Sequence, residues 1–211
     1  VVKGWLPDPL VNFFLRRTSR DMLRNVEDIV DIKSLVVTGL CDDERTLSNM
    51  FQNVARVELD FLKRDLEIGS STAPDVEDFI DLASQCQMQS DVILELIRGI
   101  ESDLQPVLFG TDGELLRYCY RVAGTVGLLM CDVLGVHDSI AKAHAIDLGI
   151  GMQLTNIARD VREDAGMGRR YVPGQWLGDI TPQALSNPST RESELLVESA
   201  QRLLSLAELY Y

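Results

Sequence analysis

An all-α fold is predicted for this chain, a helical bundle around one core, and three observations carry the prediction. Apolar residues recur at three and four positions along nearly every long segment, the period of a helix with one buried face. No segment alternates apolar and polar residues as a half-buried strand does. Clusters of Gly, Pro and Ser fall between the periodic segments, where a helix has to stop.

Taken in order, the periodicity predicts helices over 11–38, 44–69, 75–87, 90–104, 113–134, 140–163 and 193–210. The run Gly69-Ser70-Ser71-Thr72-Ala73-Pro74 separates the second helix from the third. Ser90 and Asp91 precede Val92-Ile93-Leu94, with Glu95 early in the first turn, which suits an N-cap and the positive end of the helix dipole. Pro106 and Gly110 punctuate the next junction, and 166–188 reads as a Gly/Pro-rich irregular stretch. With no internal repeat and no low-complexity tract, residues 1–211 read as one helical domain.

Size and charge bound what this domain does. Its 211 residues and 23.5 kDa allow a sizeable core. The 20 basic and 33 acidic residues leave a net charge of −13, which argues against a general nucleic-acid binder. Any polyanion has to be met by a local basic site. Cys41, Cys86, Cys119 and Cys131 form no CxxC pair, and His137 and His144 are the only histidines, so no zinc or haem spacing can be assembled. Free buried thiols in a reducing compartment follow, and with them a cytoplasmic location. The most apolar stretch, 122–131, lies between Arg121 and Asp132 and is too short for the roughly 20 residues that cross a bilayer, so no transmembrane helix is expected.

The segment 147–164 (DLGIGMQLTNIARDVRED) carries the strongest chemical signal. At about 100° per residue, Asp160 and Asp164 lie about 20° to either side of Gln153, and Asn156 about 60° away. Gln153, Asn156, Asp160 and Asp164 therefore form one polar face, among the apolar Ile150, Met152, Leu154, Ile157 and Val161 of a helix that reads as largely buried. Two carboxylates one turn apart, with no Lys at helical spacing, repel unless a cation sits between them. Oxygen ligands without His or Cys favour Mg²⁺ or Mn²⁺. The competing reading is a solvated pair near a helix end, with Arg159 and Arg162 as surface partners. Arg159, Arg162, Arg169 and Arg170 weigh toward the metal, because a diphosphate bridged to a cation needs such company in so acidic a chain.

A second segment, 118–127 (YCYRVAGTVG), places Ala123, Gly124 and Gly127 inside a helix. Small residues there let another backbone approach or leave room for a ligand. Tyr118 and Tyr120 read equally well as core residues with their hydroxyls paired at the rim.

Together, YCYRVAGTVG and 153–173 (QLTNIARDVREDAGMGRRYVP) resemble the squalene/phytoene synthase family, enzymes that join two prenyl diphosphates head to head. Upstream, 96–104 (LIRGIESDL) is similar to the family helix that precedes the YCY segment, with Asp103 where the family has an acidic residue. The resemblance covers about residues 20–211. It implies a bundle of the isoprenoid synthase type with a central cavity. The family continues for several helices beyond a segment like 203–211, so those helices are expected to be missing from this domain.

The resemblance also implies a first acidic motif, Asp-Asp-x-x-Asp, after an Arg. Its best counterpart is Arg24 with Glu27 and Asp31, again one turn apart, but with Glu where the family has Asp. The extra methylene displaces the carboxylate from where a strict octahedral Mg²⁺ site wants it. Asp42-Asp43-Glu44 is a competing cluster in an apparent loop.

On this resemblance Glu27, Asp31, Asp160 and Asp164 hold the metal, and Arg24 and Arg159 clamp phosphate. Gln153 and Asn156 hold metal-bound water or phosphate oxygen, Tyr118 orients the substrate or shuttles a proton, and Arg169 and Tyr171 belong to a loop over the entrance. The implied substrates are prenyl diphosphates: two geranylgeranyl diphosphates giving phytoene through a cyclopropylcarbinyl diphosphate, or farnesyl diphosphate giving squalene, dehydrosqualene or hydroxysqualene. Apolar substrate and product imply peripheral contact with a membrane. A non-catalytic relative that keeps the fold as a binding module is the reading from another class; Glu27 and the missing helices favour it, and the intact stripe opposes it.

Overall fold

The computed structural model describes residues 44–211, with side chains from residue 52 onward. The helix expected over 11–38 lies outside the described residues. Among the described residues the structure is all-α, with no strand beyond an isolated bridge between Leu108 and Arg170. The chain divides into two compact units, Val1–Ser90 and Asp91–Tyr211.

In the first unit, α1 (Glu44–Ile68) and α2 (Pro74–Gln85) bury Ala55, Leu59 and Leu62 on one helix and Val76 and Phe79 on the other, the expected three-and-four spacing. The turn between them is tied by Ser71, whose hydroxyl donates to Asp65 Oδ2 at 2.6 Å and whose backbone N–H donates to Glu77 Oε2. Gly69 supplies the φ of +78° that ends α1, and Pro74 starts α2 at the position where a missing N–H costs nothing.

The second unit is built around one long helix. In order come α3 (Ser90–Ser102, which opens at the boundary), α4 (Asp112–Cys119), a π-helical turn (Tyr120–Gly124), α5 (Thr125–Val133) and α6 (Ser139–Gly166). Two short helices, α7 (Gly174–Leu177) and α8 (Pro182–Ser186), precede α9 (Thr190–Glu208). Side-chain caps explain the starts: Thr111 with Glu114 and Ser189 with Glu192 form capping boxes, and Asp138 accepts from the N–H groups of Ile140 and Ala141. The central α6 packs against α9, α5, the π-helical turn and α8. Leu115, Cys119, Leu154, Ile157, Leu185 and Leu203 meet in the core.

Three expectations change. The helix expected over 113–134 is interrupted at 120–124, where the Thr125 N–H reaches back five residues to Tyr120 O while its hydroxyl takes Arg121 O at 2.7 Å. The Thr125 hydroxyl thereby takes up the Arg121 carbonyl that its own N–H bypasses. The stretch 166–188 is not irregular throughout: it carries α7 and α8, held by buried Val172, Leu177 and Leu185. Met152 stands 53% exposed, so the helix bearing the polar stripe is only half enclosed.

The small residues of the YRVAGTVG segment serve close packing. A Cβ on Gly127 would sit inside the carbonyl oxygen of Ala145, and one on Gly149 inside that of Ala123, both closer than the 3.0 Å that real Cβ atoms keep. Backbone thus lies on backbone where α6 crosses the π-helical turn and α5. On the other side Gly99 of α3 lies against Arg121 and Val122, and Arg121 Nε donates to Glu95 Oε2 at 2.8 Å.

Candidate active site

The polar stripe is intact on α6. The helix runs unbroken through Gln153, Asn156, Asp160 and Asp164, which keeps the four on one face. Gln153, Asn156 and Asp160 are half-buried, and Asp164 is buried, with 8% of its surface exposed. A carboxylate drawn in this far is not a freely solvated one.

Asp160 is compensated by its neighbour in sequence. Arg159 closes a two-pronged fork on it, Nε to Oδ1 and Nη2 to Oδ2, both at 2.7 Å. The hydrogen bonds from this guanidinium, then the charge of Asp160, hold Arg159 still more firmly protonated than usual, with lesser help from Glu163 and Asp164. Arg159 thus directs its fork at a carboxylate in this structure, and its side chain is 67% exposed. Arg162 and Glu163 face solvent.

Asp164 lines a narrow crevice, with no room for a water molecule, together with Ile157 and Val161 of its own helix and Arg169, Tyr171 and Val172 from the segment that follows. That segment folds back because the Arg169 N–H donates to Asp164 O at 3.0 Å and Gly168 supplies a φ of +76°. It is then zipped to the loop after α3: Arg170 N–H to Val107 O at 2.7 Å, Phe109 N–H to Arg170 O at 3.2 Å, and Gly174 N–H to Phe109 O at 2.8 Å. Arg170 adds a clamp, its guanidinium donating to the carbonyls of Gly178, Ile180 and Phe109.

Tyr118 and Tyr171 are both buried and both donate to one carboxylate. The Tyr118 hydroxyl reaches Asp103 Oδ2 at 2.9 Å and the Tyr171 hydroxyl reaches Oδ1 at 2.7 Å. Their rings stack with centroids 4.9 Å apart, and Phe109 packs at 5.4 and 5.7 Å from the two. Burial first, then the charge of Asp103, lifts both phenols well above their ordinary range, so each stays a protonated donor. Arg169, only 8% exposed, turns its Nη2 to Asp103 O at 3.1 Å.

The structure therefore gathers Tyr118, Arg169 and Tyr171 around Asp103, and Asp160 and Asp164 with Gln153 and Asn156 along α6; Asp164, Arg169 and Tyr171 share the crevice. Arg24, Glu27 and Asp31, and the competing Asp42 and Asp43, lie outside the described residues. Among the described residues no three His, Cys, Asp or Glu side chains cluster as a ready metal cage. Asp103 is the residue that sequence reasoning undervalued. Its acidic character was legible, but its hydroxyl donors stand 15 and 68 residues further along the chain, and no spacing rule joins them.

Comparison with known proteins agrees with this architecture. The family model described as squalene/phytoene synthase matches residues 22–211. Curated relatives include a 15-cis-phytoene synthase from Enterobacter agglomerans, 34% identical over 89% of this chain and 62% of its own length. Another, from Pantoea ananas, is 32% identical over 89% of this chain and 60% of its own. The chain thus spans less than two thirds of the length of these relatives. Among solved structures, a squalene synthase from Alicyclobacillus acidocaldarius superposes with a TM-score of 0.58 at 21% identity, over 98% of this chain and 86% of the other. A ligand-bound dehydrosqualene synthase gives the same score at 22% identity, over 92% and 63%. These likenesses concern the fold. With the family match spanning nearly the whole sequence and relatives identical at about a third of positions, the chain belongs to the squalene/phytoene synthase family of prenyltransferases.

Proposed function

We propose that this chain acts in the head-to-head condensation of two prenyl diphosphates, two geranylgeranyl diphosphates giving phytoene and releasing diphosphate. The observation that carries the reading is Asp164, a buried carboxylate one turn from Asp160, in a crevice shared with Arg169 and Tyr171. The choice of phytoene follows the relatives from Enterobacter agglomerans and Pantoea ananas, both 15-cis-phytoene synthases.

The donor set fits Mg²⁺, with Mn²⁺ as a substitute. Asp160 and Asp164 offer hard oxygens, and Mg²⁺ is commonly held by one or two carboxylates with water and substrate phosphates completing its shell. Asp160 and Asp164 would hold it, with Glu27 and Asp31 as the further carboxylates that the family resemblance implies. When bound, it supplies positive charge to a leaving diphosphate. Arg159, released from Asp160, offers the same fork to a phosphate, and Arg24 is assigned the equivalent part for the second substrate. Gln153 and Asn156 orient water or phosphate oxygens from the adjoining turns of α6.

No protein nucleophile is needed, because the second substrate's alkene attacks the allylic cation. Tyr118 orients substrate from a phenol that stays protonated, while Phe109, Val161 and Ile157 keep water away from a cation that would otherwise become an alcohol. Peripheral contact with lipid is part of this reading, because substrate and product are apolar; among the described residues no helix is long and apolar enough to cross a membrane.

The test is a product assay with radiolabelled geranylgeranyl diphosphate and Mg²⁺, followed by hexane extraction. A C40 hydrocarbon is expected. A C30 hydrocarbon from farnesyl diphosphate in its place would shift the substrate to the shorter chain. No hydrocarbon from either would turn the reading toward a non-catalytic family member.

A further inference from the structure

The loop after α3 is held in place more firmly than a mere connection requires. Asp103 follows the last turn of α3, its N–H bonded to Ile100 O, and its own carbonyl is gripped by the buried guanidinium of Arg169. With the backbone pinned, its two carboxylate oxygens take one phenol each: Oδ2 that of Tyr118 and Oδ1 that of Tyr171. Both tyrosines are almost fully enclosed, at 6% and 5% exposure, so water cannot readily replace the acceptor. The shared acceptor draws both O–H bonds toward one point and leaves the remaining lone pairs of the phenol oxygens facing elsewhere. Phe109 closes the cluster from the side. Tyr171 also lines the crevice that contains Asp164, so the clasp joins the loop after α3 to the acidic stripe.

We propose that Asp103 is a positioning residue of this active site, a two-oxygen clasp that fixes the Tyr118 and Tyr171 hydroxyls as a stacked pair and acts on the reaction only through them. This rests on the prenyltransferase reading above. Asp103→Asn tests it at nearly constant volume, because one acceptor oxygen becomes an N–H donor and one tyrosine loses its partner. In the full chain, Asp103→Asn is expected to lower kcat by about tenfold or more with KM held within about threefold. In a Tyr118→Phe/Tyr171→Phe background the same change is expected to cost less than about twofold, because nothing is left to position. An equal loss in both backgrounds would show a merely structural carboxylate and overturn the proposal.

Near-ultraviolet circular dichroism of the tyrosines supplies a readout independent of turnover. Asp103→Asn is expected to weaken the tyrosine band of the parent and to leave the double-Phe background unchanged. An unaltered parental band would overturn the clasp. If the parent makes no hydrocarbon, the functional reading fails, and the dichroism decides the positioning of the tyrosines alone. If Asp103→Asn does not fold, Asp103→Glu, which keeps both acceptors on a longer arm, takes its place. A folded Asp103→Glu with parental dichroism and parental kcat would show that the carboxylate's position is immaterial; a weakened band with reduced kcat is expected.

Discussion

Asp160 and Asp164 stand one helical turn apart, and their surroundings divide the work between them. Asp160 is half-buried under the Arg159 fork, while Asp164 is drawn into the crevice beside Arg169 and Tyr171. The same contrast between exposure and enclosure governs the thiols. Cys119 is fully enclosed in the core, and burial pushes its pKa up to about 12. At pH 8 only about one molecule in ten thousand would carry the thiolate there. Iodoacetamide at that pH is therefore expected to leave Cys119 unmodified in the folded chain and to label it after denaturation, as read by peptide mass spectrometry. Native labelling of Cys119 would show that the core around Leu115 and Leu154 opens. At this scale the sequence revealed the acidic stripe well, because helical spacing places Asp160 and Asp164 together without tertiary information. It revealed little of Asp103, whose donors come from α4 and from the segment after α6.

The second unit depends on how closely α6 approaches its neighbours. Gly149 and Ala123 bring backbone against backbone, and neither helix can retreat without disturbing the core around Leu154. Gly149→Ala is expected to destabilise the chain by about 1–3 kcal/mol. Gly166→Ala, in the last turn of the same helix, meets nothing within 4 Å. It is expected to stabilise by about 0.5–1 kcal/mol, through helix propensity and a stiffer unfolded chain. Urea denaturation of both variants checks the pair, and equal effects would contradict the close approach. Most helices were legible from period and breakers, and the expected 44–69 and 90–104 meet the observed Glu44–Ile68 and Ser90–Ser102 closely. The π-helical turn was not, because 118–127 retains helical periodicity and only the buried Thr125 hydroxyl distinguishes it. The short helices α7 and α8 hid for the opposite reason: their Gly and Pro content reads as loop, and tertiary burial of Leu177 and Leu185 overrides it.

At the scale of the whole molecule, a net charge of −13 means that the diphosphate substrate proposed above binds only where cations gather at one place. Arg159 and Arg169 are the cations beside the acidic stripe, and in the proposed reading a bound metal adds to them. The family was legible from two short segments because each is a contiguous run whose residue order is visible without tertiary information. The central claim, that the acidic stripe and its arginines bind a metal and a prenyl diphosphate as one unit, is tested most directly by the melting temperature with Mg²⁺, with geranylgeranyl thiodiphosphate, and with both. Ligand at about a hundred times its dissociation constant stabilises the native state by about 2.7 kcal/mol, which for a chain of this size is a rise of about 5–10 °C. The account predicts a rise of that size with both ligands and a much smaller one with either alone; equal rises with and without Mg²⁺ would contradict it.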